Sequence, residues 1–471
     1  SKIAEDLLIA MGQLFGPMPG GLGISVIFVG ALLAATTGIV GATVVAMGLI
    51  SLPAMLRNNY DKSLACGIVC SSGTLGQIIP PSIVLIILAD QLASASDVAN
   101  TMRQSEYKFF TGEFNMPGDF SVASTSAGDM FLGAFLPGIV LVGLYMLYVL
   151  VYSRIRPSVA PPVPYDGKYD ALFVKNIILS LAPPLALIFI VLGSIILGIA
   201  TVNQAGAIGA VGATLMAGYR LYQGKKHAYT PALIALGSVV AIFFLMLNFN
   251  LTIKSINNIR DLIGISLAVL AVTTLTYSIF WSFYRTLKID GILKGVMTET
   301  CITTSMVFII LVGAAMLTAA FRGFGGEELV KDFLTNLPGG FWTQFIVVMA
   351  VIFILGFFLD FIEIAVVVVP IIAPILLAQT DANITAVWLG VMIGVNMQTS
   401  FLTPPFGFSL FYLRGVAPSS VKTTQIWKGA IPFIFLQLIG LGIVGFYPAL
   451  VNYLPNRTYL TSEVAPPPIN P

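Results

Sequence analysis

Two proline pairs stand where freed backbone groups could do chemistry. The first lies in Gly73-Thr74-Leu75-Gly76-Gln77-Ile78-Ile79-Pro80-Pro81-Ser82, with apolar sequence at 65–69 and 83–89. The second lies in Gln398-Thr399-Ser400-Phe401-Leu402-Thr403-Pro404-Pro405-Phe406-Gly407, inside an apolar stretch from 388 to 413. Each has small polar residues, a short apolar run, then Pro-Pro. Adjacent prolines remove two amide donors and push the preceding residue out of the helical region. Carbonyls and amides freed at membrane depth must be buried in protein or line a wet cavity. A helix broken in this way is a common construction for a substrate or ion site in a secondary transporter. A plain proline kink is the competing reading, and the recurrence of the pattern in both halves of the chain weakens it.

These motifs sit in a chain built for lipid. Its 471 residues are 57% hydrophobic and 9% charged, where a soluble chain carries about 25% charge. The composition implies an all-α polytopic membrane protein, because the apolar runs are too long for barrel strands. The net charge of +2 points to no partner. Cys66 and Cys70 share a helix face at i, i+4, but the single histidine, His227, falls in a loop. Helix packing explains the cysteines better than a transition metal does. No nucleophile–base pair, metal set or nucleotide loop marks an enzyme, and no cofactor is expected.

Residues 1–21 are mildly amphipathic and end in Pro-Gly-Gly. Residues 22–52 are apolar but interrupted at Thr36-Thr37-Gly38 and Gly41-Ala42-Thr43, which predicts a re-entrant helical hairpin; one helix with small packing residues is the alternative. The first broken helix is expected at about 63–89, then a polar periplasmic loop insertion at 91–130. Connecting scaffold spans fall in 131–231, and a further pair in 232–283. A span at 303–321 precedes a second hairpin at about 341–378, with Asp360 and Glu363 near its tip, and the second broken helix at about 385–413. A last span and a proline-rich tail, expected to fray beyond Tyr453, occupy 416–471.

Basic residues cluster around Arg57, Arg154, Arg220, Arg285 and Arg414. Counting both hairpins as re-entrant, and each broken helix as one crossing, puts all these clusters on the cytoplasmic side. Pro-Gly-Gly starts at 19 and 338, an offset of 338 − 19 = 319, and Pro-Pro at 80 and 404, an offset of 404 − 80 = 324. Residues 1–90 and 297–415 are therefore read as inverted repeats. A full span precedes the amphipathic segment in the second repeat, so the repeat predicts one or more N-terminal spans ahead of Ser1.

With these stretches in view, the sequence resembles the large membrane subunit of tripartite ATP-independent periplasmic (TRAP) transporters. The resemblance rests on residues 30–48, 73–82, 198–212, 357–374 and 396–407. It implies an elevator-type, ion-transporter-like fold, in which two hairpins and two broken helices carry substrate and sodium. It also implies two partners, a small four-helix membrane subunit and a periplasmic substrate-binding protein. The long loop at 91–130 and the extra spans at 232–283 suggest a long subfamily, and Gln204 stands where many members carry glutamate.

Sodium wants several hard oxygens, which unwound carbonyls and hydroxyls supply without added charge. The candidates in the first half are Ser72, Gly73, Thr74, Gly76 and Pro80, facing Thr37 and Gly38. Those in the second half are Gln398, Thr399, Ser400, Thr403 and Pro404, facing the tip that holds Asp360. For each hydroxyl, a back-bond to its own helix is the competing reading. Acids at membrane depth are functional hypotheses by default, so Asp360 and then Glu363 are candidates to orient the tip or help hold a cation. Half-helix N-termini offer partial positive charge to an anionic substrate. The expected function is sodium-coupled uptake of a small organic anion, a carboxylate, at the bacterial inner membrane. A stand-alone sodium–carboxylate symporter and a structural subunit of a larger membrane complex are the alternatives.

Overall fold

Apolar runs with small residues at helical spacing fold as helices that share buried faces. A computed structural model describes residues 3–163, 171–252, 258–289, 291–380, 382 and 384–458, and it is all-α among them. The helices are α1 (Ile3–Phe15), α2 (Gly21–Thr37), α3 (Val40–Arg57), α4 (Lys62–Thr74), α5 (Ile83–Thr111), α6 (Ala127–Ile155), α7 (Ala171–Ile196), α8 (Val202–Arg220), α9 (Thr230–Asn248) and α10 (Ile259–Lys288). They continue with α11 (Ile292–Gly323), α12 (Gly326–Thr335), α13 (Gly340–Leu355), α14 (Phe361–Glu363), a π turn (Ile364–Val368), α15 (Val369–Ala378), α16 (Ala386–Leu402), α17 (Phe408–Val416), α18 (Thr423–Phe446) and α19 (Ala449–Thr458). Among the described residues, 8 helical segments are long and apolar enough to cross a membrane.

The chain divides into two compact units, one of Pro183–Met306 and one of Ile3–Ala182 with Val307–Pro471. In the first, α9 and α10 pair through the Ser238 and Thr274 hydroxyls. The Arg285 guanidinium donates to the carbonyls of Ala228 at 2.7 Å and His227 at 2.8 Å and lies over the Tyr222 and Trp281 rings, which fixes the α8–α9 turn to α10. Gln204 closes a capping box with Thr201 at the start of α8.

In the second unit the proline-terminated helices are the core. Every residue of α16 is buried, as is α4 from Leu64 to Thr74; a helix buried all round is a core helix. The α4 and α18 backbones touch where Gly67 meets Gly429, where a Cβ would strike the facing main chain. Around this core, α2 packs on α4 and α13 on α16, while α3 packs on α17 and α15 on α5. α3 also packs on α4, so the first hairpin lays both arms on its own broken helix and reaches the other with its second, while the second hairpin lays its first arm on α16 and its second on α5. Tyr60, between α3 and α4, accepts a hydrogen bond from the Gly23 amide at 3.4 Å, and burial pushes its phenol up to about 12.

Two expectations change. The stretch expected as a polar loop at 91–130 is helical through Thr111, because its polarity is one-sided: Leu92, Ala95, Ser96, Ala99 and Arg103 turn inward at helical spacing. The first broken helix accordingly runs well past residue 89. At the C-terminus, α19 carries the chain in helical form to Thr458, and the rest of the expected tail lies outside the described residues.

Candidate functional site

Both proline pairs interrupt helices. After α4 the chain makes a 3-10 turn at Leu75–Gln77, passes Pro80-Pro81 and restarts at Ile83. After α16 it passes Thr403 and Pro404-Pro405 and restarts at Phe408. Both Pro-Pro bonds are cis. The first break is closed by Ser82 Oγ donating to the Gln77 carbonyl at 3.0 Å, and the second by Gly407 N donating to the Thr403 carbonyl at 3.0 Å.

A hairpin tip meets each break. α2 turns into α3 at Gly38, whose φ of 63° needs a residue without Cβ. A Cβ on Gly38 would stand 3.2 Å from Ile83 N, so this tip lies on the amide end of α5. In the second half, the Phe358 ring at the hairpin tip stands 5.4 Å from that of Phe406 beside Pro405. Gly356 admits Ser400 against its Cα, at a spacing that leaves no room for a methyl.

The candidate hydroxyls share one habit. Ser72 donates to Val69 O at 3.1 Å, Thr74 to Ser71 O at 2.9 Å, Thr399 to Val395 O at 2.9 Å, Ser400 to Met397 O at 2.7 Å and Thr403 to Thr399 O at 2.9 Å. Thr37 contacts Ala34 O at 3.4 Å and pairs with the Thr43 hydroxyl. The back-bonding reading is thus realised throughout. It does not disarm these groups, because a hydroxyl whose proton is committed still presents lone pairs.

Thr74 and Gln398 face each other: Gln398 Nε2 lies 3.3 Å from Thr74 Oγ1, and Gln437 Nε2, from α18, lies 3.4 Å from the same oxygen. The Tyr145 phenol on α6 stands beside Gln437 and Thr74. Thr74 lies two turns beyond Gly67 and Gln437 two turns beyond Gly429, so the glycine crossing delivers both to one level. Gln437 and Tyr145 were not among the candidates; Gln437 alone carried a signal, an amide deep in an apolar helix.

Asp360 and Glu363 have a local task. Asp360 Oδ1 accepts from Phe361 N at 2.8 Å and Glu363 Oε2 from Asp360 N at 3.2 Å, a capping box at the start of the helical arm ending in α15. At the other end of that arm, buried Arg103 donates to the carbonyls of Leu377 at 2.7 Å, Ala378 at 3.2 Å and Gln379 at 3.0 Å, and to Phe120 O at 2.8 Å. These are carbonyls a helix C-terminus leaves without partners, and a cation there also meets the negative end of the helix dipole. Among the described residues, no three His, Cys, Asp or Glu side chains gather into a metal-binding group.

The chain matches the family described as "Tripartite ATP-independent periplasmic transporter, DctM component" over residues 1–102, 116–256 and 225–450. It is 28% identical over 458 residues to the C4-dicarboxylate TRAP transporter large permease protein DctM of Vibrio cholerae, covering 96% of this chain and 81% of that protein. It is 24% identical over 454 residues to the protein of the same description from Pseudomonas aeruginosa, covering 96% of this chain and 82% of that one. Its fold is similar to the crystal structure of the Alcanivorax borkumensis YdaH transporter, with a TM-score of 0.50 and 13% identity over 95% of this chain and 84% of that one. The chain therefore belongs to the DctM-component family of TRAP transporters: it is a multi-pass inner-membrane permease for secondary transport of small organic solutes, not an enzyme.

Proposed function

We propose that this permease takes up a small organic anion, a carboxylate, together with sodium. Two re-entrant hairpins and two broken helices, related as inverted repeats, form the moving part of an elevator. The observation that carries the reading is that each break is met by a hairpin tip while all six candidate hydroxyls have a helix carbonyl within reach of their proton. Hydroxyls set in this way offer oxygens to a cation and few donors to an anion. The anion is then left to backbone amides at the N-termini of α5 and α17, where the helix dipole favours negative charge.

The tripartite family description supports a small membrane subunit and a periplasmic binding protein as partners. The Vibrio and Pseudomonas relatives, both C4-dicarboxylate permeases by name, support a dicarboxylate-like substrate. The test is uptake into proteoliposomes holding the full complex, with a panel of carboxylates, with and without a sodium gradient and the binding protein. Uptake that needs both is the expected result. Uptake without the binding protein would replace this reading with a stand-alone symporter, and no uptake by an intact complex would replace it with a structural subunit.

A further inference from the structure

The knot at the centre of the second unit has more acceptors than its donors serve. Thr74, Gln77, Tyr145, Gln398 and Gln437 are all 0% exposed. Gln398 Oε1, Gln437 Oε1 and both ends of the Gln77 amide have no hydrogen-bond partner, and the Tyr145 hydroxyl stands against Gln437 and Thr74 without a well-aligned bond to either. Buried polar atoms without partners are uncommon in folded proteins. Gln77 follows Thr74 by three residues into a 3-10 turn, where side chains at that spacing share a face. The Gln398 and Gln437 contacts to Thr74 Oγ1, at 3.3 and 3.4 Å, exceed the usual N–H···O range of about 2.7–3.2 Å.

We infer that this knot binds one monovalent cation, through Thr74 Oγ1, the Tyr145 phenol oxygen and the amide oxygens of Gln77, Gln398 and Gln437. The inference rests on the sodium-coupled reading for the identity of the ion. It adds two ligands, Tyr145 on α6 and Gln437 on α18, from outside the hairpins and broken helices. The measured spacing fits the role: two oxygens about 2.4 Å from one ion, and at right angles, stand about 3.4 Å apart. A half-turn of a terminal amide exchanges its oxygen and nitrogen, so the same positions serve as oxygens facing an ion. Thr74 has already donated its proton to Ser71 O and presents only lone pairs to the centre. Five neutral oxygens without a carboxylate suit a single charge, whereas divalent cations draw carboxylates into their shells. The ion joins α4, α6, α16 and α18, so its occupancy is felt as stability of the whole unit.

The test is the thermal midpoint of the full chain, purified with its membrane partner, titrated with NaCl against choline chloride at constant ionic strength. Wild type is compared with Gln437→Met, which keeps the shape, and Tyr145→Phe, which removes one oxygen. Radioactive sodium binding and sodium-dependent uptake are measured on the same preparations. The expected result is a saturable rise in the wild-type midpoint, a NaCl requirement at least tenfold higher in both variants, and one fewer sodium ion bound per chain. Wild-type sodium response and stoichiometry in either folded variant would overturn the site. If wild-type uptake still needs sodium in that case, the transport reading stands without this site. If wild-type uptake ignores sodium, the transport reading fails by itself.

Discussion

Thr74 and Gln398 meet across 324 residues of chain, the interval that also separates Pro80 from Pro404. Their spacing equals the offset between the two proline pairs, and their side chains touch. The same offsets recur further out. Gly30 lies against Ser72, and the Met349 carbonyl accepts from Asn396 Nδ2 at 2.7 Å. The offsets are 349 − 30 = 319 and 396 − 72 = 324, the two intervals separating the Pro-Gly-Gly and Pro-Pro motifs. A substitution at this centre therefore acts on both halves at once.

Replacing Thr74 and Thr403 together by alanine is expected to raise the sodium concentration for half-maximal uptake about tenfold, which corresponds to about 1.4 kcal/mol. Thr74→Ala also takes the acceptor from two buried amides, a loss of about 1–3 kcal/mol in stability, so the fold persists with a lower thermal midpoint. Thr74→Ser restores both quantities, because it returns the oxygen. Wild-type sodium dependence in the double mutant would remove the site assignment.

The parts legible in the sequence are those written in backbone chemistry. Pro80, Pro404 and Gly38 impose breaks and a turn wherever they stand, so the two helix interruptions and the α2–α3 turn can be read from the sequence. Side-chain direction cannot. Which side of a fully buried helix Thr74 uses depends on Gln398 and Gln437, more than 300 residues away. Arg103 was hidden for another reason: composition averaged over 91–130 conceals a one-sided helix, although Leu92, Ala95 and Ala99 already showed helical spacing. The Asp-x-x-Glu spacing at Asp360 is also present in the sequence, where an acid that orients the tip and an acid that holds a cation look alike.

Arg103 is expected to govern the outer end of the second hairpin. Arg103→Ala leaves three carbonyls at the end of α15 and Phe120 O without a donor, a loss of about 2–3 kcal/mol. Hydrogen exchange should quicken in residues 374–379, and proteolytic nicking should rise at 112–121. Arg103→Lys keeps the charge but not the planar fork, so it recovers less than half of the protection. Unchanged exchange in folded Arg103→Ala would show that the arm is held by packing alone.

Asp360 separates capping from charge. Asparagine is as good an N-cap as aspartate, whereas alanine loses about 1 kcal/mol at such a position. If the carboxylate serves to fix the tip against Phe406, Asp360→Asn transports within about threefold of wild type. Asp360→Ala then loses about tenfold in uptake, as the capping box with Glu363 opens and the π turn that follows loses its anchored start. Glu363→Gln retains an acceptor for Asp360 N and should track the asparagine variant. The discriminating measurement is sodium-driven uptake across the three variants at equal protein incorporation. Equal loss in Asp360→Asn and Asp360→Ala would mean that the negative charge itself is needed, and would move Asp360 from the scaffold of the hairpin into the cation site.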